Sequence, residues 1–152
     1  MPNSQGMCNT FKRDILNGLH AFGASVARVD STKDAFKMAL YYATANISKS
    51  VSAYTATGEI TGTGYTATGV TVTNANAPLI DVDTACWTPS DSVEYIALTE
   101  ETAFNCALLY NDTSAGKLAV AAFTFGDQTV TAGTFTLTMP VNNEDTGLIR
   151  LA

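Results

Sequence analysis

A mainly β fold, an antiparallel β-sandwich or small barrel carrying one N-terminal amphipathic helix, is the architecture this sequence predicts, on three observations. Threonine fills roughly one position in seven, and its branched Cβ suits a pleated strand while its hydroxyl tolerates water. Short apolar or alternating runs recur at about ten-residue spacing through the second half, each bounded by Gly, Pro, Asn or Asp. Only one stretch shows the three- and four-residue apolar spacing of a helix.

That stretch runs from Cys8 to Phe22, where Phe11, Ile15, Leu19 and Phe22 form one stripe between Lys12, Arg13, Asp14 and Asn17. Asn9 or Thr10 can cap its start, and Gly23 is a plausible stop. Gly18 weakens it by up to about 1 kcal/mol relative to Ala, so the stripe needs something to pack against. After the turn-like Asp30–Asp34, alternation begins: Phe36, Met38, Leu40 and Tyr42 share one strand face, with Lys37, Ala39 and Tyr41 on the other. From Ser48 to Gly69 the chain is dense in Gly, Thr and Tyr, which predicts loop or short edge strands held by Tyr54 and Tyr65. Strand alternation resumes at Val70–Thr73. Further strands are expected at Leu79–Val82, Ser92–Leu98, Phe104–Tyr110, Lys117–Phe125 and Thr134–Met139, the last with threonines on a wet face and Phe135, Leu137 and Met139 on a buried one. The organisation is then residues 1–33 as helix and linker, 34–141 as β domain and 142–152 as a tail. The tail ends in Leu148, Ile149 and Leu151, an apolar end that needs a neighbour.

The 152 residues suffice for one domain with its own core. Charged residues are only 14%, against roughly 25% in an ordinary soluble chain, so uncharged polar groups must cover the surface. A formal net charge of −6 and no run of Lys or Arg argue against nucleic acid as a partner. No stretch of about 18 apolar residues and no charged-then-apolar leader occurs, so neither a membrane partner nor secretion is expected and the protein is made in a cytoplasm. Cys8, Cys86 and Cys106 lack C-x-x-C spacing and are expected to be reduced.

Candidate chemistry is sparse. His20 is the sole histidine, so a Ser-His-Asp or Cys-His centre would have to be built on it, and no G-x-S-x-G element accompanies it. The ligand spacing of a zinc site is missing. Asp81, Asp83, Asp91, Glu94, Glu100 and Glu101 form the densest acidic region, but without an EF-hand pattern they read as solvated loop charges, with calcium or paired-carboxylate hydrolysis as alternatives. Gly58, Gly62, Gly64 and Gly69 lack the Lys-Ser/Thr of a phosphate loop and read as turn glycines. Trp87, with Tyr95 and Tyr110, is either a core or interface anchor or a sugar-stacking platform. No catalytic, metal-binding or cofactor-binding residue is expected. Contact residues are expected at Phe11, Ile15, Leu19, Phe22, Trp87, Leu148, Ile149 and Leu151.

Several strings carry a resemblance. Cys8–Lys12 and Leu16–Phe22 are followed by Asp34–Tyr41, Tyr54–Glu59 and Gly64–Gly69, and later by Ala107–Asn111 and Phe123–Gly126. Together they resemble a family of small structural proteins of tailed-phage particles, over most of the chain, with Thr68 standing where that pattern often has a glycine. The resemblance implies a virion component of the head-decoration (cement) kind, whose partners are the major capsid protein or other virion subunits and which is itself a homo-oligomer. It transfers no catalytic or ligand residue. The rival expectations are a neck, tail or fibre component, a carbohydrate-binding module, and a hydrolase in the acidic loops.

Overall fold

A computed structural model describes residues 2–8, 10–11, 15, 19–22, 33–82 and 84–151. The expected N-terminal helix falls mostly on residues outside this set. Eight strands are described: β1 (Gly6–Met7), β2 (Phe36–Tyr42), β3 (Val70–Val72), β4 (Leu79–Asp81), β5 (Thr84–Trp87), β6 (Val93–Asn111), β7 (Ala119–Leu137) and β8 (Ile149–Leu151). They form two antiparallel sheets, a larger one ordered β1-β7-β6-β2-β3 and a smaller one ordered β4-β5-β8. Neither closes into a barrel, because each has two edge strands.

The largest departure from the sequence reading is the length of β6 and β7. The expected breaks near Thr99–Ala103 and Gly126–Gly133 are not loops; each strand runs through for 19 residues. The irregularity is absorbed as bulges. From Glu100↔Val130 to Phe104↔Gln128, β6 advances four residues while β7 advances two, and from there to Cys106↔Thr124 β6 advances two while β7 advances four. The two excesses cancel, so pairing resumes beyond the kink. Ala97 (φ 54°) and Ala132 (φ 47°) take up left-handed backbone near Leu98↔Gly133, and the Ala132 amide donates to Thr99 Oγ1 at 2.9 Å.

β2 also differs from expectation. Phe36, Met38 and Leu40 are buried as predicted, but Ala39 and Tyr41 are buried too while Tyr42 is only half-buried. β3 pairs only with Phe36–Met38, and the Gly/Thr/Tyr loop continues along the same edge. Ile60 donates to the Leu40 carbonyl at 3.1 Å, Tyr42 donates to that of Gly58 at 3.0 Å, and the Leu40 amide donates to Tyr65 Oη at 3.1 Å. That loop is fastened by Glu59, which is 5% exposed. Its carboxylate accepts from Tyr54 at 2.5 Å, Tyr65 at 2.6 Å and the Thr68 amide at 2.8 Å.

The turn glycines follow their expected role. Gly64 (φ +83°) and Gly69 (φ +78°) place their α-carbons so close to the Ala97 and Met38 carbonyls that a Cβ would lie 2.1 Å from either oxygen. Thr68 has φ 78°, a left-handed backbone conformation that glycine tolerates better. The tail is not a free end: Ile149–Leu151 pairs with Ala85–Trp87 as β8.

Candidate functional site: the apolar face of the small sheet

Sequence spacing alone could not say whether the eight expected contact residues meet. Six of them do. Phe11, Ile15, Phe22, Trp87, Ile149 and Leu151 line one apolar cleft of about 110 Å³ between the N-terminal segment and the small sheet. The register explains it: Trp87↔Ile149 and Ala85↔Leu151 are cross-strand pairs two residues apart, so all four side chains share one face. Phe22 is inserted between the sheets, stacked on Phe36 of β2 at 4.7 Å and tilted against Trp87 of β5 at 4.6 Å. Trp87 is 2% exposed, and its indole N–H donates to the Asn76 carbonyl at 3.1 Å.

Leu19 and Leu148 lie elsewhere. Leu19 is 44% exposed, and Leu148 lines a separate cleft with Met38, Phe123, Leu137 and Met139.

The row continues outward. Ile80 of β4 pairs with Ala85 of β5, which pairs with Leu151 of β8, so Ile80 extends this face past the cleft-lining Ala85 and Leu151. Ile80 and Val82 are each 71% exposed, with Leu79 at 39% and Leu151 at 38%. Leu79 and Ile80 belong to the edge strand β4 and Val82 follows it, and grouped exposed apolar residues mark an interaction surface more often than scattered ones do. Sequence reading placed a strand here and missed this exposure, because alternation does not say which strand ends at a sheet edge.

The polar groups behind the cleft hold the N-terminal segment in place. Asn111, fully buried, accepts through Oδ1 from the Thr113 and Ser114 amides at 3.0 and 3.1 Å, which fixes its amide orientation. Its Nδ2 donates to Asp34 Oδ2 at 2.8 Å and faces His20 Nδ1 at 3.3 Å, so that ring nitrogen presents its lone pair. Asp34 Oδ2 also accepts from the Ala21 amide at 3.0 Å. The histidine therefore sits in an orienting network beside Phe11, whose ring centroid is 4.9 Å away.

The remaining candidates are dispersed or buried. Glu100 is buried and accepts from Tyr42 Oη and the Thr102 amide, both at 3.0 Å. Asp81 Oδ2 accepts from the Glu144 amide at 2.9 Å, and Asp83 lies outside the described residues. Among the described residues no group of three His, Cys, Asp or Glu side chains is placed to share a metal ion. Tyr95 and Tyr110, like Trp87, are at most 2% exposed, so these three rings form no open platform for a sugar. All three cysteines are free and buried. Burial pushes the Cys8 thiol up to about 11 and the Cys106 thiol up to about 12, and raises that of Cys86, which suppresses the nucleophilic thiolate.

Compared with known protein families, curated proteins and solved structures, the chain matches none.

Proposed function

We propose that this chain is a structural component of a tailed-phage particle, a decoration (cement) protein that binds the outside of the head and ties neighbouring capsid subunits together. In this reading it is made in the host cytoplasm and ends in the virion, its two sheets packing as a sandwich-like body. The observation that carries it is the group of exposed apolar residues at the small sheet, Leu79 and Ile80 of β4, Val82 beyond its end and Leu151 of β8, beside a surface poor in charge. The resemblance of Asp34–Tyr41, Tyr54–Glu59 and Gly64–Gly69 to small phage structural proteins supports the same class. A surface of neutral hydroxyls loses little on being covered, because such groups can re-pair across an interface whereas unpaired buried charges cannot.

The function of such a protein is binding itself. A ligand that occupies only the assembled lattice stabilises it by about 2.7 kcal/mol per site at a hundredfold excess over Kd, and many sites multiply the effect. The test is copy number per particle together with heat challenge. Hundreds of copies, and capsids that lose DNA at lower temperature without the chain, are the expected results. A dozen or fewer copies at one vertex would overturn the cement role in favour of a neck, tail or fibre component.

A further inference from the structure

We propose that the free edge of β4 accepts, by strand addition, an extended segment of a partner protein whose side chains alternate between apolar and basic. This deepens the virion reading by naming the chemistry of the partner strand.

The backbone supplies the first argument. Among the described residues β4 bonds only to β5, which leaves its other side an open sheet edge. With two residues of sequence between Asp81 and Thr84, Asp81↔Thr84 is a hydrogen-bonded pair and, two residues on, Leu79↔Cys86 another. Ile80 lies between them, so its N–H and C=O point away from β5. With the Pro78 carbonyl and the Val82 amide they offer an incoming antiparallel strand up to four hydrogen bonds.

The side chains supply the second. Natural edge strands are commonly blunted by lysine or by an inward charge. β4 carries no lysine; its three residues put Leu79 and Asp81 on one face and Ile80, at 71% exposure, on the other. At its tip Val82 holds φ 52°, a left-handed backbone that is costly for a β-branched residue and would be relaxed by Asn or Gly. An exposed valine kept there at a cost in strain is explained by contact with a partner.

Charge selects the occupant. Asp81, Glu144 and Asp145 adjoin the edge, and the Asp81 carboxylate accepts from the Glu144 amide. Arg150 is turned onto the carbonyls of Glu144 and Asp145, at 3.1 and 2.6 Å. The ion pairs formed between described residues are those of Asp112 with Lys37 and Lys117, so among these residues Asp81, Glu144 and Asp145 with the single cation Arg150 leave this patch net negative. A second copy would bring the same acidic rim, on a chain of net charge −6, against itself; a basic strand is complementary.

The experiment titrates purified, isotope-labelled full-length chain with a capped heptapeptide alternating lysine and valine, followed by amide chemical shifts, against the same peptide with glutamate for lysine. The lysine peptide should shift the Ile80 and Val82 amides and bind at least tenfold more tightly than the glutamate peptide. Ile80→Pro deletes the outward N–H without touching a bond to β5, and should weaken binding at least tenfold. Asp81→Asn keeps an acceptor for the Glu144 amide and should remove most of the salt dependence. Should Ile80→Pro fail to fold, Ile80→Lys serves in its place. Equal binding of both peptides, no binding at millimolar peptide, or concentration-dependent dimerisation abolished by Ile80→Pro would each overturn the proposal, the last by assigning the edge to a second copy. Because the assay contains no particles, its failure leaves the copy-number result standing, and the reverse also holds.

Discussion

The ring of Phe22 lies 4.7 Å from that of Phe36, with the two planes 10° apart, and this stack is where the N-terminal segment is joined to the large sheet. On its other side Phe22 meets Trp87, so one side chain bridges both sheets. Phe22→Ala removes a half-buried aromatic from that junction and should lower stability by about 2–3 kcal/mol, below the full range for a buried Phe. Trp87 is the sole tryptophan, so its emission reports the change directly: a red shift in the folded variant is expected, read alongside urea unfolding.

Asn111 is the polar counterpart of that junction. Asn111→Ala strips the acceptor from the Thr113 and Ser114 amides and the donor from Asp34 at once. Leaving buried groups without partners costs about 1–3 kcal/mol each, and the expected total is about 3 kcal/mol by chemical denaturation. Asp112→Asn, one residue on, should cost less than about 1 kcal/mol, since its ion pairs with Lys37 and Lys117 are partly exposed. The Lys117 hydrogen bond, foremost, holds the Asp112 carboxyl below its ordinary range. The small contribution is therefore present above the unfolded pKa of about 4 and lost as pH falls through the folded value.

The tyrosines around Glu59 make stability fall at alkaline pH. Burial, and next the hydrogen bond to the Glu59 carboxylate, holds Tyr65 and Tyr54 above the ordinary phenol range. Tyr41 and Tyr95 are raised chiefly by burial, and burial pushes Tyr110 up to about 12. The folded state keeps these protons while the unfolded chain releases them near pH 10, so their contribution is intact below about 10 and declines as pH rises towards the folded values. Urea midpoints measured from pH 8 to 11 should be flat and then drop. Glu59→Gln should bring the ultraviolet titration of Tyr54 and Tyr65 to lower pH and cost about 1–3 kcal/mol at neutral pH.

Truncation after Gly147 removes β8, leaving β5 without one of its two partners and uncovering Trp87 where Ile149, 6% exposed, packs. Loss of buried Ile149 alone is worth about 2–5 kcal/mol. The truncated chain should therefore show lowered Tm and altered Trp87 emission in isolation, before any test of particle binding. Ile149→Val, costing about 0.5–1.5 kcal/mol, provides the folded comparison.

What was local was legible from the residues alone. The presence of a strand at Phe36–Tyr42, the alternation in Thr134–Met139 and the turn glycines at Gly64 and Gly69 follow from side-chain period and φ preference, each a property of a few adjacent residues. The strand through Leu79–Asp81 was legible too, whereas β1 carries two residues, too few for a period to show, and β5 was not read as a strand. The meeting of Trp87 and Ile149 required the register of β5 with β8, since residues far apart in sequence become neighbours only through pairing. The uninterrupted β6 and β7 required the compensating bulges, because Gly133 and Asp127 look like turn residues until the opposite strand is seen to supply the matching excess. Glu59 stands in a stretch read only as Gly/Thr/Tyr loop, and it became a buried anchor through the approach of Tyr54, Tyr65 and the Thr68 amide. The same holds for Ile80, whose apolar side chain predicts a strand but whose exposure depends on β4 lying at the edge, where no further strand of the small sheet arrives to cover it.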